Sequence, residues 1–230
     1  MRIGGFQKLT LVDFPGKVAA TVFTQGCNFR CGFCHNPELV DPQAFQSPLP
    51  QEEILSYLQD HRGKLQGVVI TGGEPTLQKD LPDFINRAKD MGFLVKLDTN
   101  GSRPEVLSFL LGLHLLDYIA MDIKSSLSKY PQVTGIACDT GKIRESIDLI
   151  VHSGIPYQFR TTVVKEFCSS DDLDDIRCLI TRSDHYVLQP FVPSPKMVDL
   201  RFNQQSRYSA AEMDLLKARF EETPIPAKLF

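Results

Sequence analysis

Short apolar segments alternate with amphipathic helical patterns along most of this chain, and that alternation constrains its fold more than any other feature. Six segments are short and apolar enough to be buried parallel strands: Val18–Gln25, Gly67–Thr71, Leu94–Thr99, Tyr118–Ile123, Gln158–Val163 and Tyr186–Phe191. Helical patterns follow them: Gln51–His61, Lys79–Met91, Pro104–Leu113, Lys142–His152, Ser170–Thr181 and Ala210–Glu222. Since a full eight-fold barrel takes about 250 residues, six βα units in 230 residues predict an α/β fold with a parallel sheet, an open partial (β/α)6 TIM-type barrel. A doubly wound open sheet has the same periodicity and stays the alternative.

The domain organisation follows from the same pattern. No internal repeat, low-complexity tract or linker interrupts it, and a 42% hydrophobic content is enough for a substantial core. We therefore expect a single domain over residues 1–230, with an N-terminal lead-in (1–17), a barrel core (18–192) and a C-terminal tail and helix (193–230).

Charge and hydropathy limit the partners and the cellular location that we expect for the chain. Its formal net charge of −3 gives no attraction to nucleic acid or to an anionic membrane. No apolar run approaches the roughly 20 residues of a membrane span, and the N-terminal stretch lacks the features of a signal peptide. The expected location is the cytoplasm, with no nucleic-acid or membrane partner.

Three of the six cysteines crowd into eight positions directly after the first predicted strand. Cys27, Cys31 and Cys34 would lie at the carboxyl end of that strand, where parallel-barrel enzymes carry their chemistry. In a cytosolic chain such a cluster points to metal or redox chemistry. Three thiolates can hold an iron–sulfur cluster, and one iron of a four-iron cluster is then left for an outside ligand.

Simpler interpretations of this cysteine loop stay open. A structural zinc site would use His35 as its fourth ligand, although His35 directly follows Cys34 and closed zinc sites normally draw two ligand pairs from separate segments. A thioredoxin-like redox pair would need only two cysteines. Cys138, Cys168 and Cys178 show no second cluster spacing and are expected to be small buried hydrophobes.

Polar residues also end the later strands. Gly72 and Gly73 would let a ligand approach the backbone closely, and Glu74 can accept hydrogen bonds from an ammonium group. Asp98 and Asp122 end the third and fourth strands, where a buried carboxylate needs a partner. A plain strand-ending turn is the simpler interpretation of each motif taken alone.

The cysteine loop, with the aromatic Phe33 before its last cysteine, resembles the signature of the radical S-adenosylmethionine (SAM) superfamily. The resemblance implies a [4Fe–4S] cluster on the three cysteines, with SAM bound to its free iron. One electron from the cluster then cleaves SAM to methionine and a 5′-deoxyadenosyl radical, which abstracts hydrogen from a substrate. The residues that the resemblance places at the cofactors are Phe33, His35, Gly72, Gly73, Glu74, Asp98, Asn100, Asp122, Lys124, Arg160 and Gln189.

Individual roles follow from the same resemblance. Glu74 would hold the amino group of SAM, Asp122 and Lys124 its ribose and methionine portions, and Arg160 its carboxylate. Gln189, at the end of the sixth predicted strand, would lie near adenine.

Two of these motifs are similar to those of the activating enzymes of glycyl radical proteins. There, Asp-Thr-Asn-Gly and Asp-x-Lys sequences line the SAM pocket, and this chain has them at Asp98–Gly101 and Asp122–Lys124. The resemblance also implies a monovalent cation held by Asp98 and the carbonyl group of Met121.

The N-terminal Asp13-Phe14-Pro15-Gly16 resembles the lead-in of the same activating enzymes, with Thr10 where a serine is more usual. Together with Cys34–Glu38 and Tyr208–Glu212, it resembles the anaerobic ribonucleoside-triphosphate reductase activating protein family over nearly the whole chain. That implies an oxidoreductase that generates a glycyl radical on a partner, anaerobic ribonucleoside-triphosphate reductase, with flavodoxin or ferredoxin as electron donor.

Two other functions stay open. The chain could be a radical SAM enzyme that acts on a small molecule, similar to the 7-carboxy-7-deazaguanine synthases, which also have compact barrels. A non-catalytic zinc-binding module would be colourless, carry one zinc and have no affinity for SAM.

Overall fold

The computed structural model describes residues 1–180, 185–204 and 207–222. Within these ranges the strands are β1 (Ile3–Thr10), β2 (Ala19–Thr24), β3 (Gly67–Gly72), β4 (Leu94–Thr99), β5 (Tyr118–Asp122), β6 (Tyr157–Val163) and β7 (Tyr186–Pro190). The α-helices are α1 (Pro37–Val40), α2 (Gln51–Asp60), α3 (Leu81–Asp90), α4 (Pro104–Gly112), α5 (Tyr130–Thr134), α6 (Thr140–Val151), α7 (Ser170–Leu179) and α8 (Ala210–Glu222). None of the described helices is long and apolar enough to cross a membrane.

The seven strands form one sheet in which the spatial order follows the chain order from β1 to β7. β1 pairs with β2 in the antiparallel direction, and every later neighbour pair is parallel. A doubly wound sheet reverses its strand order at a switch point, so this sequential order excludes that alternative. Over the described residues β7 is not paired with β1, and the sheet stays open. The prediction of a partial (β/α)6 barrel is confirmed.

The predicted strands agree with β2–β7 to within one residue at either end. The predicted helices agree to within two residues, apart from the end of the Ser170–Thr181 prediction, because Thr181 lies outside the described residues. The sequence interpretation missed β1 and the short helices α1 and α5. β1 extends the sheet by one antiparallel strand inside the predicted lead-in.

The two faces of the sheet have different roles. Along β4, Val95 and Leu97 are fully buried in the main core, which they share with the apolar residues of the flanking helices. Lys96 and Asp98 alternate with them and therefore point to the opposite, inner face of the open barrel. The inner face is thus polar at its carboxyl end.

The bottom of the inner face is closed by an apolar layer. Phe14 packs there with Ala19 and Val69, and Tyr118 contacts the same cluster. A Cβ atom on Gly67 would come 2.8 Å from the Phe14 ring, so this position requires glycine. The lead-in turn therefore supplies the floor of the barrel interior.

Candidate active site

A cavity of about 250 Å³ opens at the carboxyl ends of β2–β6. Every residue that the sequence predicted for the site, except Gln189 and Met121, lines it. The lining residues are Cys27, Phe29, Cys31, Phe33, Cys34, His35, Asn36, Val40, Thr71, Gly72, Gly73, Glu74, Asp98, Thr99, Asn100, Asp122, Lys124, Arg160 and Thr162. Parallel strands all end at the same edge of a sheet, which is why motifs far apart in sequence meet here.

Backbone hydrogen bonds hold the first half of the cysteine loop. The N–H of Gly26 donates to the carbonyl of Leu39 at 2.8 Å, and the N–H of Glu74 donates to the carbonyl of Gly26 at 2.8 Å. The N–H of Arg30 donates to the carbonyl of Thr134 in α5 at 2.7 Å. The loop is therefore fixed through the backbone to α1, to the segment that follows β3 and to α5.

The second half of the loop is held by the chain that follows β7. The N–H groups of Val198 and Asp199 donate to the carbonyls of Cys34 and Gly32, at 3.1 and 2.9 Å. The buried Phe33 ring packs there among three aromatic rings, with centroid distances of 6.2–6.3 Å: Phe167, Phe191 and Phe202. Phe33 thus anchors the loop in the core while it also lines the cavity.

Cys31 is buried and Cys27 and Cys34 are half-buried, and all three thiols lie near a positive charge. Burial raises the pKa of Cys27 to about 12 and that of Cys31 to about 11, and it also raises the pKa of Cys34. The Lys124 ammonium opposes this rise at all three thiols. Without a metal the thiols are protonated at neutral pH, and iron binding has to displace those protons.

Glu74 ties the end of β3 to the end of β4. Its carboxylate is fully buried and accepts from the Thr76 N–H at 3.1 Å, the Thr76 hydroxyl at 2.5 Å and the Thr99 hydroxyl at 2.7 Å. Its second oxygen accepts the backbone N–H of Asn100 at 2.7 Å. Burial raises the pKa of Glu74, and these hydrogen bonds oppose the rise. Glu74 therefore organises the site from within, whatever else it binds.

Five charged side chains of alternating sign form a connected network on the inner face. Asp98 accepts from Lys96 at 2.5 Å and from Arg160 at 3.0 Å. Arg160 also pairs with Asp122, which accepts from Lys124 at 2.9 Å. Burial alone would raise the pKa of Asp122, but Arg160 and Lys124 hold it well below its ordinary value. The predicted site residues of β4, β5 and β6 thus form one unit.

The strand register explains how this network spans three strands. Arg160 is paired with Asp122 across β5 and β6, so their side chains share a face. Ala120 is the partner of Asp98 in β5, and its small side chain leaves room for the guanidinium to reach over β5. Sequence reasoning missed Lys96, because a lysine within a strand is usually solvated; here Lys96 is 3% exposed.

Two predicted cofactor residues lie at the margin of the site. Gln189 is exposed and is not among the lining residues, but it is paired in the sheet with Thr162, which lines the cavity. His35 lines the cavity from an exposed position with its ring 6.1 Å from that of Phe191. The contact of Gln189 with adenine stays a prediction.

The donor set fits an iron–sulfur cluster. Three thiols of one loop line the same cavity, and thiolates are the ligands that such clusters prefer. Among the described residues, no three histidine, cysteine, aspartate or glutamate side chains are gathered closely enough for one metal ion. A cluster does not need that arrangement, because each cysteine binds a different iron. Cys138, Cys168 and Cys178 are free thiols outside this lining.

An open parallel barrel with three cysteines on the loop after its first parallel strand defines a class of iron–sulfur enzymes. Residues 21–174 match the model of the Radical SAM superfamily. The chain belongs to this superfamily, whose members bind a [4Fe–4S] cluster and SAM.

Two relatives support this assignment, and one solved structure shares the fold. A Methanocaldococcus jannaschii protein named as a glycyl-radical enzyme activating enzyme is 36% identical over 196 residues, 83% of this chain and 80% of the relative. The pyruvate formate-lyase-activating enzyme of Clostridium pasteurianum is 30% identical over 191 residues, 77% of this chain and 74% of the relative. The Streptococcus suis SuiB structure bound to S-adenosylmethionine superposes with a TM-score of 0.68 at 15% identity, covering 86% of this chain and 45% of SuiB. This last similarity concerns the fold alone.

Proposed function

We propose that this protein is an activase that generates a glycyl radical on a partner enzyme, anaerobic ribonucleoside-triphosphate reductase. The observation that carries the proposal is the meeting of Cys27, Cys31 and Cys34 with the network that contains Asp122 and Arg160 in one open cavity. The relatives named as glycyl-radical and pyruvate formate-lyase activating enzymes support the activase class. The reductase as partner rests on the sequence motifs alone.

The chain's own residues would have separate tasks in this reaction. When bound, the cluster and SAM supply the electron and the radical that abstracts hydrogen from the glycine. The network presents a cation at Arg160 for the SAM carboxylate, and Asp122 and Lys124 for its ribose and methionine portions. Each of these groups is already held in place by a charged neighbour, which limits its freedom before SAM arrives.

The identity of the other components is part of the proposal. Flavodoxin or ferredoxin would supply the electron, and a monovalent cation would lie near Asp98. All six cysteines are free thiols, which supports a reducing compartment such as the cytoplasm. We also propose a single domain over residues 1–230, because the sequence pattern of alternating strands and helices is not interrupted by a linker.

The test begins with anaerobic reconstitution with iron and sulfide, followed by reduction in the presence of SAM. We expect about four irons per chain from the ligand count, an EPR signal of the reduced cluster that SAM changes, and release of 5′-deoxyadenosine. The Cys31→Ala variant should lose the cluster, whereas Cys168→Ala, which changes a buried thiol outside the cavity, should keep it.

The partner is tested in a second step. The reconstituted enzyme is incubated with anaerobic ribonucleoside-triphosphate reductase, SAM and reductant, and a glycyl radical is sought by EPR. A radical on the reductase supports the proposal, with a reductase variant that lacks the glycine as the control. Deoxyadenosine release without any radical on the reductase contradicts the partner assignment and leaves another glycyl radical enzyme or a small molecule as the substrate. A colourless protein with one zinc contradicts the cluster itself.

A further inference from the structure

The sulfur of Cys27 lies near two N–H groups. The backbone N–H of Phe29 donates to it at 3.3 Å, within the loop itself. The second donor is a side chain from a different strand end: Nδ2 of Asn100 lies 4.0 Å from the Cys27 sulfur. The resemblance places Asn100 at the cofactors without giving it a role of its own, and a turn after β4 does not require a donor directed at a cysteine.

The orientation of the Asn100 amide is determined by a backbone group. The N–H of Ser102 donates to Oδ1 of Asn100 at 2.9 Å, and a backbone N–H can only donate. The oxygen of the Asn100 amide therefore faces Ser102, and its NH2 group has to face the cysteine loop. The ambiguity between oxygen and nitrogen that affects most amide side chains does not arise at this position.

Asn28 completes the arrangement. Nδ2 of Asn100 donates to Oδ1 of Asn28 at 3.0 Å, and Nδ2 of Asn28 donates to the Ser102 hydroxyl at 2.8 Å. One N–H of the Asn100 amide is used by Asn28, and the other is left for the Cys27 sulfur. The backbone of Asn100 is also held by Glu74 at 2.7 Å, and the residue is 5% exposed. Asn100 is therefore a buried donor fixed from several sides.

We propose that Asn100 is a positioning residue that tunes the reduction potential of the cluster through an N–H···S hydrogen bond to Cys27, with Asn28 and Ser102 holding its amide in place. The inference rests on the proposed function, because it needs a cluster on the three cysteines. A reduced cluster carries one more negative charge than the oxidised one, so a donor directed at its thiolate stabilises the reduced form more. The bond raises the potential and makes reduction easier.

The experiment is a potentiometric titration of the reconstituted enzyme without SAM, with the EPR signal of the reduced cluster as readout and iron content measured on each sample. Asn100→Leu removes the donor at similar volume. At a fixed potential it should raise the ratio of oxidised to reduced cluster about threefold, or roughly 30 mV for one electron. We expect a modest change because the donor is 4.0 Å from the sulfur. Asn100→Asp keeps the acceptor for Ser102 and should shift the ratio in the same direction.

The control is Asn86→Asp, which changes an exposed asparagine of α3 and should leave the potential unchanged. Either Asn100 variant with full iron and an unshifted potential overturns the inference. Loss of iron in both Asn100 variants, with full iron in the control, also overturns it, because Asn100 would then be needed for cluster binding. A wild-type protein that binds no cluster contradicts the proposed function instead, so the two failures are distinguishable.

Discussion

Glu74→Gln is the substitution whose effect follows most directly from the structure. The carboxylate accepts four hydrogen bonds: three at one oxygen, from Thr76 and Thr99, and one at the other, from the backbone N–H of Asn100. A glutamine has nearly the same shape, but its amide has one accepting oxygen and an NH2 group that can only donate. One of the two sets of donors has to lose its acceptor.

The size of the effect can be worked from that mismatch. If the amide oxygen takes the place with three donors, the NH2 group faces the N–H of Asn100 and leaves it buried without an acceptor. If the amide is turned round, the N–H of Thr76 is left in the same condition. An unsatisfied buried donor costs about 1–3 kcal/mol. A cost of that size makes local opening of the segment roughly 5- to 150-fold more frequent, since about 1.4 kcal/mol is a factor of ten.

Native-state hydrogen exchange, measured by mass spectrometry on the reconstituted protein under anaerobic conditions, reports that opening directly. Peptides that contain residues 75–77 and 99–102 should exchange faster in Glu74→Gln by this factor, while peptides from the outer helices keep their rates. Glu52→Gln is the matched control, because Glu52 pairs with Arg87 on the surface. Unchanged exchange in both segments of the Glu74 variant would refute the role of Glu74 as the organiser of these strand ends.

Three further predictions concern the same site. Gly73→Ala places a Cβ atom 2.2 Å from the Gly26 carbonyl oxygen and should lower iron content and SAM affinity, whereas Gly112→Ala, with no atom within 4 Å of the added Cβ, should change neither. In the metal-free protein the pKa values of Cys27 and Cys31 are raised. The rate at which iodoacetamide alkylates these two thiols should therefore rise about tenfold per pH unit well beyond pH 9, where the rate for a free thiol of pKa about 8.5 levels off. A plateau near pH 9 for these two thiols would contradict the burial argument. Lys96→Met removes one of the two cations that pair with Asp98, and Arg160 remains. Loss of a hydrogen bond to a charged group costs about 1.5–3 kcal/mol, so the apparent melting temperature of the reconstituted protein should fall by roughly 3–12 °C; an unchanged melting curve would show that this pair does not contribute to stability.

The parallel strands could be located from the sequence because each is short, apolar and followed by a helix. β1 could not, since Ile3–Thr10 contains two glycines and exposes Gln7, Lys8 and Leu9. Its strand conformation depends on pairing with β2. The helices α1 and α5 have four and five residues. Helices this short gain their stability from tertiary contacts and not from their own propensity, so no local pattern marks them.

The site was predictable as far as strand ends define it. Acidic and glycine motifs at the ends of parallel strands meet at one edge of the sheet, and this rule places Glu74, Asp98 and Asp122 in one cavity. Asn100, Lys124 and Arg160 were placed there by the family resemblance. The rule does not find side chains that lie within a strand or in a loop. Lys96 lies within β4, and Asn28 contacts Asn100 and Ser102 across a sequence distance of more than 70 residues. Such contacts depend on register and loop path, which sequence patterns do not fix.

The position of the charge network, beside the thiols and along the cavity, explains its presence better than stability does. Lys96, Asp98, Arg160, Asp122 and Lys124 contribute three cations and two anions, so the network carries one net positive charge. Lys96 is buried and the other four side chains are half-buried, so the network has lost much of its hydration, and buried ion pairs often give no net stability compared with apolar side chains. The network therefore needs a reason other than stability. Lys124, at one end of the network, opposes the rise in the pKa values of the three thiols that burial causes. Arg160, at its centre, lines the same cavity. A single arrangement of charges can thus favour thiolates for iron on one side and hold an anionic ligand on the other.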